Sequence, residues 1–162
     1  SDRKNFYYAL GAIKNVGFDA ISQVVNERLK NGKFKNLSDF INRVDPKSIN
    51  KLQLEGLVKA GAFDKINLNR QSIFKSIPNM ILKSKNISEN KSLNQFDLFS
   101  TEISEETFID NVEDWNKDTK LNKEFETLGF YISDHPLNQY KSVFNQYNDA
   151  YNTMHILNLI QF

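Results

Sequence analysis

Five consecutive residues, Lys14-Asn15-Val16-Gly17-Phe18, have the types needed to hold an anion with the backbone alone. One helical pattern ends near Ile13 and another begins near Phe18, leaving a short turn between them. Asn15 and Gly17 are both residue types that reach positive φ, and Val16 between them is set to point into a core. The N–H groups of Asn15 to Phe18 are then expected to face outward at a helix N-terminus. Unpaired donors and the helix dipole together attract negative charge there, and Lys14 adds a cation. A related turn lies at Leu57 to Asp64, where a helix ends on Gly61 and leads through Ala62 toward the helix from Asn69. It has one glycine, and Asp64 is a poor neighbour for phosphate, so a mostly structural role is expected, with Phe63 anchored in the core. Lys59, Lys65 and Arg70 are its candidate phosphate contacts. A third feature, Gln95-Phe96-Asp97-Leu98-Phe99, is an apolar island between a polar stretch and an acidic one. Exposed apolar groups on a tether lower solubility unless they dock somewhere.

Other chemistries find no residues. The chain has no cysteine, which excludes disulfides, thiolate metal sites and a Cys nucleophile. His135 and His155 stand outside any metal-ligand spacing. His135 precedes Pro136 and reads as a turn residue, since no nucleophile is placed near it or its neighbour Asp134. No catalytic set, metal pair, phosphate-binding glycine loop or nucleotide pocket is expected.

The elements that must position these residues read as helices. Ala20, Ile21, Val24, Val25 and Leu29 form one stripe ending at Asn31-Gly32. Ser38 is a candidate cap for a short helix burying Phe40, Ile41 and Val44, and Asp45-Pro46 breaks the chain. A helix from Ile49 carries Leu54, Leu57 and Val58 inward to Gly61. Asn69 can cap another with Ile73, Phe74, Ile77 and Ile81 apolar, and Pro78 is expected to kink or end it. Lys83 to Asn94 is polar and reads as a mobile linker. Phe108, Ile109, Val112 and Trp115 fall at helical spacing, with Trp115 a core or partner contact. A helix through Leu121, Phe125 and Leu128 follows to Gly129, and His135-Pro136-Leu137 is a turn. No alternating pattern predicts a sheet, and no run reaches the roughly 18 apolar residues of a membrane span.

The formal net charge of +1 hides an asymmetry. Residues 1–92 hold 17 Lys/Arg and 8 Asp/Glu, and residues 93–162 hold 4 and 12. A basic half beside an acidic one marks a polyanion-binding segment and a segment that avoids polyanions. No aromatic-basic interleaving points to base stacking, and no side-chain set suits base-edge reading, so low sequence specificity is expected. The chain opens on Ser1-Asp2-Arg3-Lys4 without a Met, as expected of a piece cut from a longer protein.

The first turn resembles the helix-hairpin-helix motif, which binds DNA phosphates without reading sequence. Its hairpin usually reads Pro-Gly-Val-Gly, and Lys14-Asn15 replace the Pro-Gly here. Two such hairpins are the usual unit, one for each strand of a duplex. Gln95 to Phe99 resembles the bacterial sliding-clamp-binding peptide Gln-x-x-Leu-Phe, whose Gln bonds at a pocket rim while Leu and Phe fill apolar subsites. Three further stretches carry a larger resemblance: Tyr8 to Lys14, Leu57 to Asp64, and Glu126 to Ile132 followed by His135-Pro136-Leu137. Together and in this order they resemble the α subunit family of bacterial replicative DNA polymerase III.

That resemblance implies an all-α chain in three parts. Residues 1–82 are a tandem helix-hairpin-helix DNA-binding domain. Residues 83–118 are a linker with the clamp-binding motif at 95–99. Residues 119–162 are a helical connector leading to an oligonucleotide-binding barrel. It implies a DNA-directed DNA polymerase as parent, a nucleotidyltransferase whose palm aspartates and Mg ions lie outside this chain, so the chain alone is expected to be inactive and without a cofactor. Implied partners are duplex DNA, the β sliding clamp and other replicase subunits, in the cytoplasm and away from membranes. Implied site residues are Lys14, Asn15, Val16, Gly17, Phe18, Gly61, Ala62, Lys65 and Arg70 for DNA, and Gln95, Phe96, Asp97, Leu98 and Phe99 for the clamp. The residues leave two other readings open: a repair or recombination factor using paired hairpins, and a purely structural interaction domain.

Overall fold

The computed structural model describes residues 13–92, 108–143 and 145–147. Their helices are α1 Phe18–Asn31, α2 Leu37–Arg43, α3 Lys51–Lys59, α4 Arg70–Ser92 and α5 Lys117–Leu128, followed by a 3-10 turn at Pro136–Tyr140 and further helical residues at 141–143 and 145–147. No strand occurs among the described residues, as the all-α expectation requires. The apolar stretches flanking this region, Tyr8 to Ala12 and Ile156 to Phe162, and the Gln95–Phe99 peptide lie outside the described residues.

The helix ends follow local chemistry. Asn50 and Gln53 form a reciprocal capping box at the start of α3, each side chain bonding the other's backbone N–H (3.0 and 2.7 Å). Asn69 caps α4 by accepting from the N–H of Ser72 at 2.8 Å, as its position predicted. The cap of α2 is Asn36 and not Ser38: the Asn36 side chain accepts from the N–H of Asp39, and Ser38 lies buried inside the helix. Helix α1 ends before Gly32, whose φ of 81° and ψ of −179° glycine reaches without Cβ strain.

The core is one cluster. Leu37, Val58, Ile73, Ile77 and Met80 are almost completely buried, and Ile13, Val16, Phe40, Leu57 and Phe63 pack with them. Phe63 meets Phe40 edge to face at 5.1 Å, the anchoring role its position predicted. Helix α4 is the central element, packed by both α2 and α3, and α5 closes over α3.

Two departures occur at α4. Of the kink or end expected at Pro78, the end does not occur, for the helix runs on to Ser92. Pro78 is exposed while Ile77 and Met80 are buried, so its ring stands on the solvent side of the helix. The linker expected from Lys83 is therefore helical as far as Ser92. Tertiary packing overrides its polar composition: Ile81 and Ile87 pack on the core, and the Ser84 hydroxyl donates to the carbonyl of Ile41 at 3.1 Å.

Residues 108–116 hold a third departure. Their apolar spacing predicts a helix, but they run irregularly along the first turns of α4. The Asn69 side-chain N–H donates to the carbonyl of Val112 at 2.6 Å, and the N–H of Asp110 donates to the Ser76 hydroxyl at 2.6 Å. The Ser72 hydroxyl donates to the carbonyl of Asp110. The N–H of Gln71 donates to the Asp114 carboxylate at 3.1 Å. Phe108 is buried and Trp115 packs on Phe74 at 5.4 Å between ring centres. Trp115 is thus a core contact, one of the two roles its sequence position allowed. Bonds to side chains of α4 take the place of a helical ladder, because α4 offers buried hydroxyls and an Asn at the required places.

Candidate nucleic-acid interface

The first turn is held from three sides. The N–H of Val16 donates to the carbonyl of Ile13 at 3.0 Å and closes the turn. The N–H of Lys14 donates at 3.0 Å to the carbonyl of Thr127 in the last turn of α5. Val16 is 3% exposed and lies against Gly56, where an added Cβ would stand 2.9 Å from its Cγ2 and 3.1 Å from the carbonyl of Lys14. Asn15 takes the left-handed conformation at φ 67°, as predicted. Gly17 does not, for its φ of −68° and ψ of 151° are those of an extended N-cap. The turn therefore needs one left-handed residue where the sequence pattern allowed two.

This geometry leaves the start of α1 bare. Gly17 provides no side-chain cap, and Lys14, Asn15, Gly17 and Phe18 are exposed. Among the described residues no partner accepts from the N–H groups of Asn15, Gly17 or Phe18, so three of the four predicted donors remain open. The fourth, on Val16, is engaged within the turn. Lys14 makes no ion pair among the described residues. Asp19, the acid in the first turn of α1, works against a bound anion.

The second turn is closed. Helix α3 ends in a paired cap in which the N–H of Ala62 donates to the carbonyl of Leu57 (2.9 Å) and that of Gly61 to Val58 (3.0 Å). Gly61 sits at φ 76° directly beneath a guanidinium, and an added Cβ would lie 2.4 Å from Nη2 of Arg70. Gly61 and Ala62 therefore have no open N–H to offer. Lys65 is exposed and remains a candidate contact. Lys59 pairs with Glu126 at 3.7 Å.

Arg70 leaves the phosphate-contact set. It is 5% exposed and forks onto Asp64 through Nε (2.8 Å) and Nη2 (2.6 Å), while Nη1 meets Glu124 at 2.9 Å. Glu124 is completely buried and also accepts from the N–H groups of Ile132 (2.9 Å) and Ser133 (3.0 Å). Burial works to raise the Glu124 pKa, but those two N–H groups and Arg70 outweigh it and hold the carboxyl below its usual range. A buried Arg with two carboxylates ties together the second turn, α4, α5 and the stretch after Gly129. Asp64, unhelpful to phosphate, is the reason Arg70 points inward. Sequence reasoning missed Glu124, yet a signal existed: it falls on the inner stripe of α5 between Leu121 and Leu128.

His135 is a capping residue. Its Nδ1 accepts from the N–H of Leu137 at 3.2 Å, and its ring meets Tyr131 edge to face. Asp134 is held well below its usual pKa by Lys117 first, then by Asn138 and the N–H of His135. Both sit in a surface turn.

Comparison with known proteins bears on the same elements. A family model described as a helix-hairpin-helix motif matches residues 2–73, which include both turns. The chain is 38% identical over 158 residues, 94% of its length, to DNA polymerase III subunit alpha of Rickettsia prowazekii (strain Madrid E). It is 40% identical over 141 residues to that of Rickettsia bellii (strain RML369-C), and 35% identical over 155 residues to that of Borreliella burgdorferi (strain ATCC 35210 / DSM 4680 / CIP 102532 / B31). Over most of its own length the chain is similar to one segment of DNA polymerase III subunit alpha. It spans 12–13% of the length of these curated relatives. Among the described residues no three His, Asp or Glu side chains converge on a metal-sized site, and no helix is long and apolar enough to cross a membrane.

Proposed function

We propose that this chain is the DNA-gripping and clamp-tethering segment of a replicative DNA-directed DNA polymerase. The observation that carries the first half is the bare N-terminus of α1. Open N–H groups at Asn15, Gly17 and Phe18, an exposed Lys14 and a turn braced by Gly56 and Thr127 form a preorganised phosphate cradle. Such a cradle touches backbone and not base edges, so it grips duplex DNA without sequence preference. Lys65 adds a weaker contact from the second turn. The parent polymerase supplies catalysis and Mg from elsewhere, and the segment contributes processivity in the cytoplasm among other replicase subunits.

The second half rests on sequence. Gln95 to Phe99 docks on the β sliding clamp, and two weak contacts on one DNA–clamp assembly add through effective concentration. The relatives favour this reading over a repair or recombination factor, since all three are named as polymerase subunits.

Titration of the chain with duplex DNA at two salt concentrations tests the grip. Affinity should fall steeply with salt, and Lys14→Ala should lower the salt slope by about one phosphate contact. Asp19→Asn should tighten binding. A salt-independent response, or a marked preference for one sequence, would overturn the proposal.

A further inference from the structure

An open groove lies beside the first turn, between it, α3 and α5. Its walls include Lys14 and Asn15 from the turn, Leu52 and Lys59 from α3, and Phe125 and Glu126 from α5. Two of these are large apolar side chains left in water: Leu52 is 53% exposed and Phe125 51%. The fold does not need Phe125, because α5 buries Leu121, Glu124, Thr127 and Leu128 instead. Phe125 is nevertheless held in place, stacked on Tyr131 at 5.2 Å with 27° between the rings. The charges in the groove largely cancel. Lys59 faces Glu126 at 3.7 Å and Glu55 faces Lys51 at 3.8 Å. Lys14 is left as the cation without a carboxylate among the described residues, and it stands at the end next to the open N–H groups of the turn.

A preset aromatic ring, an aliphatic wall and the exposed Lys14, continuous with a phosphate cradle, suit a nucleotide. Building on the DNA-gripping reading above, we propose that the groove takes an unpaired base of the strand whose phosphate rests at Asn15–Phe18. The base stacks on Phe125 against Leu52, and Lys14 meets the phosphate between base and cradle. A paired base cannot reach Phe125 because its faces are covered by its neighbours. The chain therefore distinguishes a duplex bearing a single-stranded overhang from a blunt duplex. Charge balance also favours this occupant over an apolar peptide, which would have to cover the Lys59–Glu126 pair.

The test uses the 162-residue chain with a blunt duplex and with the same duplex carrying an overhang whose first unpaired base is 2-aminopurine. Stacking on Phe125 should change the probe's fluorescence on binding. Phe125→Ala should abolish that change and weaken overhang binding about tenfold while blunt-duplex affinity stays the same. Phe125→Trp should restore both, and Phe125→Leu, which keeps apolar packing, should behave as the Ala variant. An unchanged probe signal in Phe125→Ala and Phe125→Leu, or an equal loss on both DNAs, overturns the stacking proposal and leaves the phosphate cradle standing. Absence of any DNA binding by the unaltered chain overturns both. Capture of a peptide in the groove that persists in saturating overhang DNA also overturns it.

Discussion

Removing the Glu124 carboxylate should loosen the chain more than removing any exposed acid. Glu124 makes three contacts from a site without solvent: Arg70 at 2.9 Å and the N–H groups of Ile132 and Ser133 at 2.9 and 3.0 Å. Breaking one side of a buried ion pair costs about 3–5 kcal/mol, because the partner stays buried. Arg70 retains its two-pronged hold on Asp64, so Glu124→Ala belongs at the lower end, about 3 kcal/mol. Glu124→Gln keeps an acceptor oxygen and loses the charge, for which about 2 kcal/mol is expected from charged hydrogen bonds. With a urea dependence of about 2 kcal/mol per molar, the midpoints should fall by roughly 1.5 M and 1 M. Trp115 fluorescence reports the unfolding, since that ring packs on Phe74 at the edge of the core. Glu113→Ala, an exposed acid with no ion pair among the described residues, is the control and should stay within about 0.5 kcal/mol. Should Glu124→Ala unfold at the same urea concentration as Glu113→Ala, the buried ion cluster does not hold α5 to the rest.

Acid should weaken the fold with a defined sign. Glu124 is lowered as described, and Asp114, although raised by burial, is brought down by Lys120 and the N–H groups of Gln71 and Trp115. Carboxyls depressed in the folded state give their full stability above their unfolded pKa of about 4 and lose it as pH falls through the folded values. Urea midpoints should therefore drop below about pH 4, with a flatter profile in Glu124→Gln; parallel profiles would count against the assignment. Gly61→Ala and Gly32→Ala make a matched pair, since both positions have positive φ. A positive φ alone costs an alanine about 1–3 kcal/mol. Only at residue 61 does the new Cβ strike Arg70, so Gly61→Ala should unfold at distinctly lower urea than Gly32→Ala. Ala at Gln95, Leu98 and Phe99 together should abolish binding to a purified β clamp while leaving DNA affinity intact, and an unchanged clamp affinity would remove the tether from the proposal.

Much of the helical frame was legible because it is local. The stripe from Ala20 to Val25, the cap at Asn69 and the left-handed Asn15 all follow from near-neighbour spacing and side-chain chemistry, although Leu29, in the same pattern, is exposed. The candidate anion site was legible for the same reason, since a turn and the first residues of a helix are contiguous in the chain. The errors share an opposite cause. Arg70 was assigned to phosphate because a basic residue near a turn is ordinarily exposed, but its partner Glu124 is 54 residues away. Residues 83–92 looked like linker from composition, although Ser84 reaches the carbonyl of Ile41 across the core. The stretch 108–116 had helical spacing, yet the hydroxyls of Ser72 and Ser76 outbid that preference.

The sequence by itself determined an all-α chain, the turn at Lys14–Phe18 and the separation of basic from acidic halves, because propensity, capping and charge act within a few residues. Only the tertiary structure decided which N–H groups remain open. It closed the second turn under Arg70 and left the first bare, and it brought Phe125 to the side of Lys14. Those outcomes depend on long-range burial, where a charged side chain is paired or excluded according to what the rest of the fold places beside it.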